Sequence, residues 1–228
     1  MKSRNRESRP GTLIVMSTIG HANGIATLAP VVLASGSPRR AAILREVGLE
    51  FVVAPSEIDE SVVSHLAPVE EAVALATLKA ETVSRSHRQS LVIAADTVVD
   101  LYGVSIGKPA NEQHAIEMLS GLSGRTHLVH TGVAVSVGGK VRSGVATTEV
   151  RMRVLSSTEI KSYVRSGAPM DKAGAYGIQD TKFSPVDSID GSYLNVVGLP
   201  VGLLAKLLHE TGQIDASSVE VMTRSDAS

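Results

Sequence analysis

The run Leu91-Val92-Ile93-Ala94-Ala95-Asp96-Thr97-Val98-Val99 constrains this fold more than any other stretch. Near-continuous apolar segments of this length belong to strands covered on both faces, as in α/β sheets with helices packed above and below. Asp96 interrupts the run. An unpaired carboxylate there would cost several kcal/mol, so it needs a metal, a cation or a cluster of donors. A structural salt bridge would satisfy it, but a metal-binding or catalytic role is the reading preferred here.

Strand and helix signals alternate on both sides of this run from Pro30 onward. Pro30-Val31-Val32-Leu33 reads as a short buried strand leaving a sheet. Ser35-Gly36-Ser37 permits a tight turn, and Ser37 caps a helix that opens at Pro38 and stops at Gly48. Strand, small-residue turn and helix N-terminus together make an anion site. Arg39 and Arg40 oppose the helix dipole in its first turn unless something negative lies between them. Two solvated arginines would be the plain explanation; phosphate is the functional one.

Phe51-Val52-Val53 predicts a strand, followed by the acidic loop Ser56 to Glu60. Pro68 opens a helix to about Arg85, with Val69, Val73, Ala76, Ala80 and Val83 forming one stripe. Lys79 falls inside the apolar sector, between Leu75 and Val83. It therefore needs an anionic partner, unless it snorkels from the stripe's edge. Asp100 to Ile106 predicts a hairpin turning at Tyr102-Gly103 and delivering Gly107-Lys108-Pro109. Asn111 to Leu119 predicts a helix, with Gly121 just past its end.

Two long strands joined at Gly138-Gly139 come next. Ala146, Thr148, Val150, Met152 and Val154 share one face of the second. Ser157 or Thr158 then caps a short helix to about Arg165, and a glycine-rich loop spans Asp171 to Gln179. Pro200 starts a last helix, closed at Gly212.

With 228 residues the chain is long enough for one large α/β domain or two small lobes sharing a core. The expected organisation is an N-terminal extension over 1–27, with Met16 a candidate start, one domain over 28–212, and a polar tail over 213–228. A net charge of −1 argues against general nucleic-acid binding. The absence of Cys excludes a disulfide scaffold, thiol catalysis and a Cys-ligated zinc site, and fits a cytoplasmic protein. No apolar run approaches the roughly 20 residues needed to span a membrane. Neither GxxxxGK[ST] nor GxGxxG is present. The seven histidines form no helical metal-ligand pair.

The surviving constellation is Arg39, Arg40, Lys79, Lys108 and Lys172 with Glu60 and Asp96. Cations in a glycine-lined cleft, with carboxylates able to hold a divalent ion, suit a polyphosphate substrate. The chain resembles the Maf family of nucleotide pyrophosphatases. The resemblance rests on L-A-S-G-S-P-R-R at 33–40, I-D-E at 58–60, A-A-D-T-V-V at 94–99 and G-K-P at 107–109, with D-K-A-G-A-Y-G-I-Q at 171–179 and N-V-V-G-L-P at 195–200. These motifs occur in family order over about residues 30 to 210.

The resemblance implies a Maf/inosine-triphosphatase-like α/β fold, with a bent mixed sheet flanked by helices and a cleft between two lobes, commonly as a homodimer. It implies hydrolysis of nucleoside triphosphates to monophosphate and pyrophosphate with Mg2+ or Mn2+. Ser37, Arg39 and Arg40 match the phosphate-binding turn. Glu60, Lys79, Asp96, Lys108 and Gln179 match active-site positions, Asp96 as proton acceptor and Glu60 with Asp96 as metal ligands; Lys172 is a further substrate-binding candidate. The A-Y-G-I-Q version of the loop resembles the branch acting on dTTP and UTP, with modified uridine triphosphates also expected, rather than the branch preferring 7-methyl-GTP. One departure stands out: after Gln179 the family continues with glycines and an aromatic, whereas this chain carries Asp180 to Pro185, so the loop there is expected to differ in shape. The competing reading is a non-catalytic, nucleotide-sensing regulator of cell division and septum formation. A sensor needs the cations but not Glu60 and Asp96.

Overall fold

A computed structural model describes residues 25–224. The core is one mixed seven-stranded sheet in the order β2-β1-β3-β5-β6-β7, with β4 paired to the far end of β3. The strands are β1 (Val31–Leu33), β2 (Phe51–Val53), β3 (Leu91–Leu101), β4 (Val104–Ile106), β5 (Thr126–Val137), β6 (Lys140–Met152) and β7 (Val186–Asp190). Only β1 pairs in parallel, with β2 and β3; the other pairings are antiparallel.

The register of β3 creates the opening that matters. β1 covers β3 from Leu91 to Ile93, and β4 covers it again from Val99 to Leu101. Between them the flank of β3 lacks a neighbouring strand on that side, and Asp96 lies in the middle of the gap. Helix α1 (Pro38–Glu46) follows directly from β1, so its N-terminus faces the gap. Crevices beyond strand ends, where chain direction changes, are where α/β sheets bind ligands.

Helix α2 (Pro68–Ser84) crosses the same region and packs on β3 and β5. Gly132 allows that approach. It is paired with Asp96 across the β3–β5 ladder, and a Cβ on it would lie 2.1 Å from the carbonyl oxygen of Ala72. Directly paired residues share a face, so the missing side chain lets α2 settle where Lys79 can reach Asp96.

Two further apolar clusters flank this layer. One joins α1 and β1 to α6 (Val201–Glu210) and α7 (Ala216–Arg224). The other joins β5 and β6 to α3 (Glu112–Leu122) and α4 (Ser157–Arg165). The cleft runs between them, as the two-lobed expectation has it.

Several expectations need correction. The buried face of α2 centres on Ala72, Leu75, Ala76, Lys79, Ala80 and Val83, while Val69 is exposed, because the sheet contacts the helix about one position round from the expected stripe. Helix α3 continues through Gly121 to Leu122, which is fully buried. The cap of α4 is Ser156, whose hydroxyl accepts from Glu159 N–H while the Glu159 carboxylate returns to Ser156. Val154 lies beyond β6 and is exposed.

β7 carries only Val186 and Ile189 as apolar residues and α5 (Tyr193–Val197) is only five residues long, so neither announces itself. The polar tail expected from 213 instead holds α7, whose Met222 is fully buried against the α1–α6 cluster. Of the expected extension, residues 1–24 lie outside the described residues; Ile25 already packs on the core, its N–H donating to Gly48 O.

The contact at Gly132 gives a direct test. Gly132→Ala forces Cβ into the backbone of α2, and overpacking of this kind costs about 1–3 kcal/mol. Thermal denaturation should therefore show a lowered Tm. Activity should fall with it, because a displaced α2 carries Lys79 away from Asp96. A variant that melts and turns over like wild type would contradict the packing argument.

Candidate active site

The cleft has a volume of about 540 Å³ and is lined by both clusters. Its floor is Asp96 on β3, and its innermost cation is Lys79 on α2. The Lys79 ammonium donates to Asp96 Oδ1 and also lies 2.7 Å from Glu60 Oε1. The two residues that looked unaffordable in the sequence, a lysine in an apolar stripe and an aspartate in a buried strand, thus satisfy each other. Glu60 enters from a single 3-10 turn (Glu60–Val63) and is more than half exposed, so the inner pair is the enclosed one. Burial alone would push the Glu60 carboxyl up. The hydrogen bond and charge of Lys79, with help from Lys108 and Arg40, outweigh that and hold it below the usual carboxylate range.

The turn after β1 forms as expected. Ser37 Oγ accepts from the backbone N–H of Arg40, and Pro38 is the first helical residue. The two arginines then part. Arg39 donates to Asp171 Oδ2 at 2.8 Å, and Lys172 donates to Asp171 Oδ1 at 2.9 Å. Burial would raise the Asp171 carboxyl, but these two cations hold it below its ordinary value.

Arg40 turns inward. It donates to Gly198 O, to Ser35 Oγ and to Thr97 Oγ1 at 2.9, 3.1 and 3.1 Å. From Thr97 a directed chain continues: Thr97 Oγ1 lies 3.0 Å from Thr131 Oγ1, which donates to Asn195 O at 2.9 Å. All of these acceptors are neutral, so Arg40 is fixed in place while its charge stays available. Burial lowers its pKa, with the Asp96 charge pulling the other way.

Lys108 is exposed and lines the cleft beyond β4. Gln179 is exposed on the opposite wall. The cleft therefore collects every residue the sequence singled out: Ser37, Arg39, Arg40, Glu60, Lys79, Asp96, Lys108, Lys172 and Gln179.

Some neighbours escaped the sequence reading. Glu71 on α2 and Ser105 on β4 also line the cleft, and the Ser105 hydroxyl donates to the Glu71 carboxylate. Glu71 lies eight positions before Lys79, close to two helical turns, which is the signal that could have found it. Tyr176 forms part of the wall and reaches His127 Nε2 at 2.8 Å, the rings meeting edge to face. Nothing in the spacing of β5 marked His127.

Among the described residues no three or more His, Cys, Asp or Glu side chains group so as to hold a metal ion. Glu60 and Asp96 alone converge, on Lys79.

A family model described as Maf-like protein matches residues 30–211. The chain belongs to the Maf family. A dTTP/UTP pyrophosphatase of Dehalococcoides mccartyi is 47% identical over 81% of this chain and 84% of its own. The dTTP/UTP pyrophosphatases of Halalkalibacterium halodurans and Moorella thermoacetica are 45% and 47% identical, over 80% and 79% of this chain and 96% and 94% of theirs. Among solved structures, a HAM1 protein from Coxiella burnetii aligns over 68% of this chain and 90% of its own, at 20% identity and a TM-score of 0.37.

His127 generates a pH prediction. Burial pulls its pKa down to about 4 from an ordinary value near 6.5. The unfolded chain therefore binds a proton that the folded one refuses, so stability present above about pH 6.5 is lost as pH falls toward 4. Replacing His127 with Gln should flatten the fall of Tm between those limits. An unchanged Tm profile would show that acid sensitivity in this window arises elsewhere.

Proposed function

We propose that this Maf protein hydrolyses nucleoside triphosphates, dTTP and UTP foremost, to the monophosphate and pyrophosphate. The observation that carries the reading is the Lys79–Asp96–Glu60 cluster, set in a cleft beside an arginine whose charge is held but not neutralised. The relatives named dTTP/UTP pyrophosphatase supply the substrate class. A nucleotide sensor would need Arg40 and Lys108 but would gain nothing from two carboxylates facing a polyanion, so the catalytic reading is preferred.

In this reading the phosphates meet the α1 turn, Arg40 and Lys108, which offset their charge. Arg39 and Lys172, now shared with Asp171, offer further donors at the rim. Asp96 accepts the proton of a water that attacks the α-phosphorus. The bond from that phosphorus to the bridging oxygen breaks, and pyrophosphate leaves with the bonding pair. Lys79 holds the Asp96 carboxylate in the orientation this transfer requires.

Glu60 and Asp96 would hold Mg2+ or Mn2+. Two carboxylates completed by substrate phosphate oxygens are an ordinary donor set for such ions, which fits the lack of a larger protein ligand cluster. When bound, the ion supplies charge neutralisation on the phosphate oxygens. Gln179 presents an amide that donates and accepts at once, suited to the alternating carbonyl and N–H edge of uracil or thymine. The domain from residue 28 carries this chemistry, extended past 212 by α7. The family resemblance supports a homodimer, and the Cys-free composition fits a cytoplasmic setting; no helix among the described residues is long and apolar enough to cross a membrane.

Pyrophosphate release measured across a panel of nucleoside triphosphates, with and without Mg2+ or Mn2+, tests the proposal. We expect kcat/KM for dTTP and UTP to exceed that for GTP and 7-methyl-GTP, and metal-free protein to lose turnover. The reverse ranking would overturn the substrate assignment. Asp96→Asn should remain folded, with a lowered Tm because the enclosed Lys79 ammonium loses its inner charged partner, and should lose about 10²–10⁴-fold in kcat. Near wild-type turnover by that variant would make Asp96 structural.

A further inference from the structure

The turn that follows the glycine-rich wall departs from the family pattern, and its geometry gives the departure a purpose. Gln179 lies between two hollows, the nucleotide cleft and a second of about 540 Å³ behind it. A turn flanked by open space on both sides cannot rely on packing to hold its shape. It is fastened instead from α4. The Gly177 N–H donates to Tyr163 Oη at 3.3 Å, and the Tyr163 hydroxyl donates to Asp180 Oδ2. Asp180 N–H closes the turn on Gly177 O at 3.1 Å. The Asp180 carboxylate sits so close over Gly177 that a Cβ there would lie 2.9 Å from Oδ2. One phenol therefore ties both ends of the segment that carries Gln179.

The tyrosine is itself well held. Its ring stacks on Phe183 with centroids 3.9 Å apart and planes 7° from parallel. Arg153 braces Phe183 and the next residue by donating to their carbonyl oxygens, each at 2.9 Å. The start of α4 is fixed by the Ser156–Glu159 capping box. Burial and the adjacent Asp180 carboxylate raise the pKa of the Tyr163 phenol, so the hydroxyl remains a donor throughout the working pH range.

We infer that Tyr163 and Asp180 are positioning residues that set the pose of Gln179 and hence base selection. The inference rests on the reading that this protein hydrolyses dTTP and UTP. Neither residue lines the nucleotide cleft, so they act on binding of the base through Gln179 and not on the chemical step. Asp180 opens the run 180–185 in which the sequence departs from the family resemblance, so the fastening lies in that departing loop.

The experiment measures kcat and KM separately for dTTP, UTP and GTP on purified full-length protein. Tyr163→Phe keeps the ring and its stack on Phe183 but removes the bridging hydroxyl. It should raise KM for dTTP and UTP about 3–10-fold, the range for one lost hydrogen bond, leave kcat within about 2-fold, and lower the dTTP:GTP ratio of kcat/KM. Asp180→Ala removes the acceptor from a half-buried position in the loop while keeping the Tyr163–Phe183 stack, and should do the same. Asp180→Asn keeps an acceptor and should restore most of the selectivity. The double variant should be no worse than the poorer single one, since both break one bridge.

Wild-type KM and selectivity in Asp180→Ala, or a lowered Tm and kcat with unchanged selectivity in Tyr163→Phe, would overturn the inference while leaving the hydrolase reading intact. Wild-type protein inactive on every triphosphate would remove that reading and this one together.

Discussion

The ammonium of Lys79, held between Asp96 and Glu60, is the interaction on which the site depends. Its two ion pairs are unequal. Asp96 and Lys79 are both largely enclosed, and breaking such a pair by deleting one partner leaves a charge without solvent, a loss of about 3–5 kcal/mol in comparable buried pairs. Glu60 is more than half exposed, and water screens its share, which belongs in the range of about 0–1 kcal/mol for surface pairs. The inner pair is therefore fixed, while the outer carboxylate is free to exchange Lys79 for a cation brought by substrate. A site that must admit a polyanion benefits from this division, because one carboxylate stays oriented as the other adapts.

That pair exists only because the sheet leaves room for it. β1 ends at Leu33 opposite Ile93, and β4 reaches back along β3 only as far as Ile106 opposite Val99, so the middle of β3 has an open flank. Gly132 removes the side chain that would otherwise hold α2 off the sheet. Three small features, a short strand, a late hairpin and one glycine, thus bring a helix, a strand end and a helix N-terminus to a single point. The bonds of Arg40 to Gly198 O, Ser35 and Thr97 serve the same end by other means. Neutral acceptors orient a guanidinium without cancelling it. Arg39 and Lys172 differ, since Asp171 stands between them and must be outcompeted by phosphate.

Much of the site was legible in the sequence because burial and charge conflict there. A lysine in an apolar stripe and an aspartate in a core strand each demand a partner, and the demand can be read without coordinates. The Ser37 cap and Pro38 start were legible for a similar reason, being local chemistry set by neighbouring residues. What stayed hidden was chemistry that depends on distant residues meeting. Asp171 bridging Arg39 and Lys172, Ser105 meeting Glu71, and Tyr163 reaching over to Asp180 join segments whose separation leaves no periodic trace.

The sequence by itself determined an α/β architecture and, together with its resemblance to the Maf family, the mixed sheet and nine of the residues that line the cleft, since hydrophobic period, caps, misplaced charges and motifs are properties of the chain. Tertiary structure decided the rest. The α2 face shifted from the Val69 and Val73 edge to the Ala72–Leu75 line because the sheet chooses which side of a helix is covered. Residues 216–224 became a helix because Val219 and Met222, one turn apart, both reach the α1–α6 cluster. Tyr163 acquired a role only when the fold placed its hydroxyl between Gly177 and Asp180, since hydrogen bonds of this kind are set by proximity in space and carry no signature along the chain.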